Sequence, residues 1–329
     1  IMTILNYKKF GNGEKKLIFL HELMGDCTNY ENCLNYFDKN LFTIFMVDLR
    51  GYGLSKNILG KYNLDEAVND VINLVTNLKL TDYVLVAHSM SSMIAQHIAS
   101  KDKRVKKLIL LTPISYKGVK STQKAKDNLL AQMEKNSGKI EEIVEQSSKR
   151  YNQTWKNYRI NLAYNSSILE ARIAYMSMYL NVDYENNFEK IEIDVPIKII
   201  TGKYDFPVFS KNEVVKYFEE FKDVEIIEFE EAGHHPMIEC PVLFASKIEL
   251  LLNNGYKKVY LITDHGFVLT GHLKEHDKVD VQFTGDIKKA ERYIRTVQRQ
   301  SNIDNLVEKE QIDGVYNYVY FAKGMNPFK

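Results

Sequence analysis

The sequence predicts an α/β protein with a mostly parallel β-sheet that carries helices on both faces. Short apolar runs alternate along the chain with segments of helical periodicity, which is typical of parallel strands joined by crossover helices. The alternation stops after Pro113 and resumes at Ile197, so a helical insertion is expected inside the fold. The predicted strands are Leu17–Leu20, Leu41–Val47, Tyr83–Ala87, Val105–Leu111, Ile197–Thr201 and Val224–Phe229.

The segments between these strands carry the spacing of amphipathic helices. Residues 63–79 place their apolar side chains on one helical face. Asn63 is predicted to cap this helix, and Glu66 follows three residues later as in a capping box. A further helix is expected after the third strand, and Pro241 is expected to open the last one.

Residues 115–190 are predicted to form a helical cap. This stretch is rich in Lys, Glu, Asn and Tyr and contains no strong strand pattern. An insertion at this point would lie above the carboxyl ends of the strands, where open α/β sheets place their ligands. The alternative is that these helices only pack beside the sheet.

The composition describes an ordinary globular protein and excludes several classes of partner. The 329 residues are 45% hydrophobic and 26% charged, and the net charge of +1 gives no reason to expect nucleic acid or an anionic membrane as a partner. Three cysteines, Cys27, Cys33 and Cys240, lack metal-ligand spacing and cannot form a disulfide framework. With no visible secretory signal and no apolar stretch of about 18 residues, the expectation is a soluble, cytoplasmic protein.

Ser89 is the candidate nucleophile. It lies in the segment Ala87–Ser91 (AHSMS), which follows a predicted strand and precedes a predicted helix. A sharp turn of this kind exposes the hydroxyl and needs small flanking residues, and Ala87 and Ser91 are both small. The alternative is an ordinary serine in a strand-to-helix turn.

Two further residues favour the nucleophile interpretation. A serine hydroxyl is a poor nucleophile unless a base removes its proton and an acid orients that base. Asp205 follows the strand that begins at Ile197, and His234 follows the strand that begins at Val224. Each of the three residues therefore comes after a parallel strand, so all three can converge on one edge of the sheet.

The motifs together resemble the α/β-hydrolase superfamily over about residues 3–254. The segments LHELMGD (20–26), DLRGYGLS (48–55), AHSMS (87–91) and EAGHHP (231–236) are similar to family motifs in the correct order. The resemblance implies the order Ser89, Asp205, His234 for nucleophile, acid and base, with His234 rather than His235 as the base. It also implies that the backbone N–H groups of Leu23 and Met90 form the oxyanion hole. Glu22 and the residues flanking Ser89 depart from the family pattern, which has glycine there.

Residues 255–329 are predicted to be a small α+β appendage. Strands are expected near Lys258–Thr263, Val279–Phe283 and Tyr316–Phe321, with a basic helical segment from Ile287 to Arg299. The stretch LITDHGF (261–267) weakly resembles the terminal part of PglZ-type, alkaline-phosphatase-like domains. That resemblance implies that Asp264 and His265 bind a metal ion. The favoured interpretation is instead that the appendage serves for packing or for binding a protein partner.

The sequence therefore predicts a serine hydrolase that cleaves an ester or thioester of a small molecule through an acyl-enzyme. No cofactor and no metal are expected for this chemistry. Amide and C–C bond cleavage stay open as alternatives. A different class of function, a non-catalytic protein that binds a ligand or a partner on the same scaffold, is the second hypothesis.

Overall fold

The computed structural model describes residues 3–135, 137–186, 189–252, 287–289, 293–301, 306–310 and 318–322. The chain divides into two compact units, Ile1–Val259 and Tyr260–Lys329. The predicted boundary after residue 254 lies outside the described residues. Within the described ranges, no helix combines the length and the apolar character needed to span a lipid bilayer.

The first unit is built on a seven-stranded sheet. The strands are β1 (Tyr7–Phe10), β2 (Lys15–Leu20), β3 (Phe42–Val47), β4 (Tyr83–His88), β5 (Val105–Leu111), β8 (Ile197–Gly202) and β9 (Val224–Phe229). Their order in the sheet is β1-β3-β2-β4-β5-β8-β9. All neighbouring pairs are parallel except β1 and β3, which are antiparallel.

Six of these strands confirm the sequence prediction, and the edge strand β1 was missed. The central strands are recognisable because both of their faces are covered, so nearly every side chain is apolar; β3 is buried along its whole length. The sequence of β1, YKKF, is half-exposed and has two lysines. Its strand conformation depends on pairing with β3, and no local pattern in the sequence indicates this pairing.

Helices cover both faces of the sheet and create two cores. The flanking helices are α1 (Glu31–Leu34), α2 (Leu64–Asn77), α3 (Met90–Lys101), α8 (Lys211–Phe218), α9 (Pro236–Glu239) and α10 (Pro241–Leu251). Because side chains alternate across a strand, Ile18 enters the core that contains α2 and α3, and Phe19 enters the core that contains α10. The Asn63 side chain accepts the Glu66 N–H at the start of α2, as predicted.

The insertion between β5 and β8 is helical, as the sequence predicts. It contains α4 (Gln123–Glu134), α5 (Lys139–Ser147), α6 (Gln153–Asn165) and α7 (Leu169–Tyr179), with a short parallel pair formed by β6 (Val119–Lys120) and β7 (Leu180–Asn181). Residues of α7 belong to the same core as Met90 of α3, which is the core that contains Ile18. The insertion therefore packs at the end of the sheet where Ser89 lies.

The described part of the second unit consists of four antiparallel strands. They are β10 (Ile287–Lys289), β11 (Tyr293–Thr296), β12 (Leu306–Glu310) and β13 (Tyr318–Ala322), in the order β10-β11-β13-β12. The prediction of a helix over Ile287–Arg299 was wrong, because β11 pairs with β13 and that distant pairing outweighs local helical spacing. The strand-like run near Tyr316–Phe321 is confirmed as β13. The residues Asp264 and His265 lie outside the described residues.

Candidate active site

Ser89 occupies the sharp turn between β4 and α3. Its backbone has φ 51° and ψ −118°, a conformation in which few non-glycine residues are held. Ala87 and Ser91 on either side are fully buried, which explains the small residues seen in the sequence. The Ser91 hydroxyl also donates a hydrogen bond to the His21 carbonyl, so this departure from glycine ties the turn to the neighbouring loop.

Asp205 is held in the loop that follows β8. The Phe206 N–H donates to its carboxylate at 2.6 Å, and the Asp205 side chain is fully buried. Gly202 is required at the start of this loop because a Cβ there would lie 2.0 Å from the Gly233 carbonyl oxygen. The close approach of these two loops brings Asp205 beside His234.

His234 lies between Ser89 and Asp205 and contacts both. Its Nε2 is 3.0 Å from Ser89 Oγ, and its Nδ1 is 2.9 Å from each carboxylate oxygen of Asp205. Since a carboxylate accepts, Nδ1 carries the proton and Nε2 is free to accept from the serine hydroxyl. The three residues named from the sequence thus form one connected chain of hydrogen bonds.

The electrostatics of His234 suit a proton acceptor that becomes charged. Burial would lower its pKa, but the adjacent Asp205 carboxylate outweighs burial and raises the pKa above the ordinary 6.5. The Phe209 ring packs against the imidazole with a centroid separation of 4.5 Å. The imidazole is therefore held in an orientation that serves Ser89, and its protonated form is stabilised by Asp205.

His88 is a further histidine of the site that the sequence analysis did not single out. Its Nε2 is 2.7 Å from the His234 carbonyl oxygen, and a carbonyl only accepts, so Nε2–H is the donor. Burial, reinforced by the charge of His234, lowers the pKa of His88 well below 6.5, so its ring is neutral. His88 thus fixes the backbone of His234 through a partner 146 residues away, which no local pattern reveals.

The loop after β2 presents the backbone next to Ser89. The ring of His21 accepts the Leu49 N–H at Nε2 and donates from Nδ1 to the Glu22 carbonyl at 2.6 Å. In the planar trans peptide that follows, the Leu23 N–H points the opposite way from that carbonyl. The Tyr52 hydroxyl anchors the other side of Leu23 by donating to its carbonyl at 2.8 Å.

Met90 contributes a second backbone N–H. It is the first residue of α3, and the first N–H groups of an α-helix have no intrahelical acceptor. Leu23 and Met90 are both buried, so donors at these positions would act in a water-poor environment. The arrangement is suited to stabilising a negatively charged oxygen beside Ser89.

Glu22 belongs to a buried charged network that joins this loop to the insertion. Arg159 of α6 forms an ion pair with Glu22, and both side chains are 3% exposed. His235 Nε2 lies 3.0 Å from Glu22 Oε1 and 2.8 Å from Arg159 Nη2, and Asn29 Oδ1 accepts from Arg159 at 2.9 Å. Burial would raise the pKa of Glu22, but His235 and Arg159 lower it well below 4.5, so the carboxylate is charged.

The network explains how glutamate is accommodated where the family pattern has glycine. Among the described non-glycine residues, positive φ angles occur only at Tyr62, Lys79, Ser89 and Thr112, so the loop does not demand a left-handed conformation at Glu22. The carboxylate instead fixes the position of α6. The sequence shows that residue 22 departs from the family pattern, but it gives no sign that Arg159 is the partner of Glu22.

One cluster has the composition of a metal site but serves as a structural turn. Asp26, Cys27 and Asp48 offer ligand atoms within 4.8 Å of one another. The Asp48 carboxylate already accepts the N–H groups of Cys27 and Leu54 at 2.7 and 2.8 Å. Burial, together with the Asp48 charge, raises the pKa of the Cys27 thiol, so it stays protonated and is a poor metal ligand.

The fold and the geometry of Ser89, His234 and Asp205 define the α/β-hydrolase class. Residues 11–241 match the family model described as serine aminopeptidase, S33. The chain belongs to this S33 family, which confirms the resemblance to the α/β-hydrolase superfamily that the motifs in the sequence indicated.

Individual relatives are distant. The chain is 31% identical over 96 residues to 3-oxoadipate enol-lactonase 2 of Acinetobacter baylyi, a match that covers 29% of this chain and 36% of that protein. It is 23% identical over 253 residues to a Mycoplasma genitalium protein whose name places it among esterases or lipases, covering 74% and 91% of the two chains. An esterase from Exiguobacterium antarcticum superposes with a TM-score of 0.66 at 20% identity, over 76% of this chain and 96% of that one.

Proposed function

We propose that this α/β-hydrolase cleaves an ester or thioester of a small molecule through a covalent acyl-enzyme on Ser89. The observation that carries the proposal is the chain of contacts from Ser89 Oγ to His234 Nε2 at 3.0 Å and from His234 Nδ1 to Asp205 at 2.9 Å. The names of the relatives, an enol-lactonase and esterases, support an ester bond as the target.

In the acylation step, Ser89 Oγ attacks the substrate carbonyl carbon and its proton passes to His234 Nε2. The carbonyl oxygen becomes an oxyanion, which the N–H groups of Leu23 and Met90 stabilise. When the tetrahedral intermediate collapses, the bond to the leaving group breaks and His234 returns the proton to the leaving oxygen or sulfur. Asp205 stabilises the imidazolium during this interval.

In the deacylation step, water takes the role of the serine hydroxyl. His234 Nε2 accepts a proton from the water as its oxygen attacks the acyl carbon. When this second tetrahedral intermediate collapses, the bond from the acyl carbon to Ser89 Oγ breaks, His234 returns the proton to Oγ, and the carboxylic acid leaves. The insertion packs at this end of the sheet, so we propose that residues 115–190 act as the cap that shapes the acyl pocket.

A fluorophosphonate probe tests the nucleophile directly. Ser89 Oγ is expected to attack phosphorus and expel fluoride, which leaves a stable adduct on Ser89 detectable by mass spectrometry of the intact protein. Ser89→Ala is expected to lose the label and the hydrolysis of 4-nitrophenyl butyrate, while Ser100→Ala, on a serine of α3 whose hydroxyl donates a hydrogen bond within that helix, serves as the control. Absence of labelling in the wild-type protein would instead support the non-catalytic binding protein.

The pH dependence of hydrolysis follows from the raised pKa of His234. Only neutral His234 accepts the proton of Ser89, so activity is present above its pKa and is lost as the pH falls through it. We expect kcat/KM for 4-nitrophenyl butyrate to decline about tenfold per pH unit on the acid side, with an apparent pKa above 6.5. A midpoint well below the ordinary histidine value would contradict the pairing with Asp205.

A further inference from the structure

Arg172 is a buried cation on the inner face of the insertion. It lies in α7, whose buried residues are Ala171, Arg172, Tyr175 and Met176, so its side chain belongs to the face that packs toward the sheet. Arg172 is 5% exposed, and no described residue accepts a hydrogen bond from its Nε. The Ser166 and Tyr175 hydroxyls are also buried and have no hydrogen-bond partner in the described part of the chain, so several unsatisfied polar groups come from one short segment.

The other arginines that are buried in the described part of the chain differ from Arg172. Arg50 forms an ion pair with Asp70, and Arg159 forms one with Glu22. Within the described ranges of the chain, no carboxylate pairs with Arg172; its guanidinium lies 5.8 Å from the centre of the Tyr164 ring. An unpaired charge in a protein interior is costly, so native structures retain one chiefly where a ligand or water completes it.

The surroundings of Arg172 connect it to the candidate active site. Tyr175, which belongs to the same set of buried α7 residues as Arg172, packs against the Tyr52 ring with a centroid separation of 5.8 Å, and the Tyr52 hydroxyl donates to the Leu23 carbonyl. The cap segment in front of α7 is joined to the turn that holds Tyr52: the Gly53 N–H donates to the Ser166 carbonyl at 2.7 Å. The buried face of α7 that carries Arg172 therefore contacts Tyr52, the side chain that anchors the loop carrying Leu23.

We propose that Arg172 binds a carboxylate on the acyl part of the substrate, so that this hydrolase prefers esters whose acyl chain ends in a negative charge. This inference rests on the proposed function and adds a specificity-determining residue to it. A guanidinium matches a carboxylate in shape and donor geometry. A single buried positive charge is neutralised by a monoanionic carboxylate, whereas a phosphate dianion would leave an unbalanced negative charge.

Matched pairs of chromogenic esters test the proposal. The 4-nitrophenyl monoesters of adipate, pimelate and suberate carry a free carboxylate, and their methyl esters are neutral compounds of nearly equal length. We expect the wild-type kcat/KM to favour the anionic member of at least one pair by about tenfold or more, the usual effect of a hydrogen bond to a charged group. Arg172→Gln is expected to bring that ratio close to unity, and Arg150→Gln, on an exposed arginine of the insertion, is expected to leave it unchanged.

A binding measurement separates this proposal from the catalytic one. In the Ser89→Ala background, calorimetry with monomethyl adipate, pimelate and suberate is expected to show binding that Arg172→Gln abolishes. Equal rates for charged and neutral esters, or binding that survives Arg172→Gln, would overturn the carboxylate site, even if fluorophosphonate still labels Ser89. Failure of labelling with intact, Arg172-dependent binding would overturn only the catalytic proposal.

Folding of the variant is checked by its thermal midpoint. Because Arg172 has no carboxylate partner among the described residues, Arg172→Gln is expected to unfold at the same temperature as the wild type or above it. A large fall in the midpoint would show that Arg172 is a structural residue and would count against a ligand-binding role.

Discussion

Asp205→Asn is expected to lower kcat for 4-nitrophenyl ester hydrolysis by roughly 10⁴-fold. The amide occupies the same volume as the carboxylate, but its NH₂ group can donate to His234 Nδ1. That contact favours the tautomer with the proton on Nε2, which cannot accept from Ser89. The amide also lacks the negative charge that stabilises the imidazolium. The measurement is the steady-state rate of the purified variant with saturating substrate.

A control variant and the expected folding of Asp205→Asn make the prediction specific to Asp205. Asp194→Asn, on a carboxylate that is 73% exposed and pairs with Lys103 at the surface, is expected to leave the rate near that of the wild type. The Phe206 N–H can still donate to the oxygen of the amide that replaces the Asp205 carboxylate, so the variant is expected to fold. A loss smaller than about tenfold in kcat would mean that Asp205 does not orient the base.

Arg159→Met is expected to lower the free energy of unfolding by about 3–5 kcal/mol, as measured by urea denaturation at neutral pH. The substitution leaves the Glu22 carboxylate buried with its principal cation removed, and it also takes a partner from Asn29 and His235. Because Glu22 lies in the loop that presents Leu23, we expect the activity of the variant to fall as well.

The comparison variants separate a lost contact from an uncompensated charge. Glu22→Leu combined with Arg159→Met removes both charges and is expected to recover most of the stability. Lys8→Met breaks an exposed ion pair with Glu31 and is expected to cost less than about 1 kcal/mol. If Arg159→Met costs no more than Lys8→Met, the buried pair does not hold the insertion to the loop.

The pH dependence of stability has a definite sign for this pair. In the wild-type protein the pKa of Glu22 is lowered on folding, so its contribution is present above the unfolded pKa and is lost as the pH falls through the folded pKa. In Arg159→Met, burial acts on Glu22 without that guanidinium and favours the neutral acid. The deficit of the variant relative to the wild type is therefore expected to shrink as the pH is lowered.

Much of the fold was predictable because its signals are local. The six parallel strands are recognisable as largely apolar runs, and the cap of α2 by Asn63 follows from a short motif. The edge strand β1 and the strand β11 were not found, since each depends on hydrogen bonds to a partner distant in the chain. The local periodicity of the sequence contains no information about such pairings.

The polar contacts around Ser89 were likewise only partly predictable from the sequence. Ser91 and Glu22 were recognised as departures from glycine, but their partners were not. Ser91 donates to a carbonyl 70 residues away, and Glu22 pairs with Arg159, 137 residues away. In the sequence, such residues look like irregularities. Their contacts are visible only in the folded protein, where partners distant in the chain lie next to them.

The sequence by itself determined the order of the strands along the chain, the turn that bears Ser89, and the choice of Asp205 and His234 as its companions. The strand order and the convergence of these residues follow from short spacings and from the rule that parallel strands end at one edge of a sheet. The choice of His234 rather than His235 follows from the resemblance to the α/β-hydrolase superfamily. Only the tertiary structure decided that Arg159 neutralises Glu22, that His88 holds the His234 backbone, and that Arg172 is buried without a carboxylate among the described residues. The physical reason is that burial and charge compensation are properties of the folded interior, where residues far apart in the chain meet.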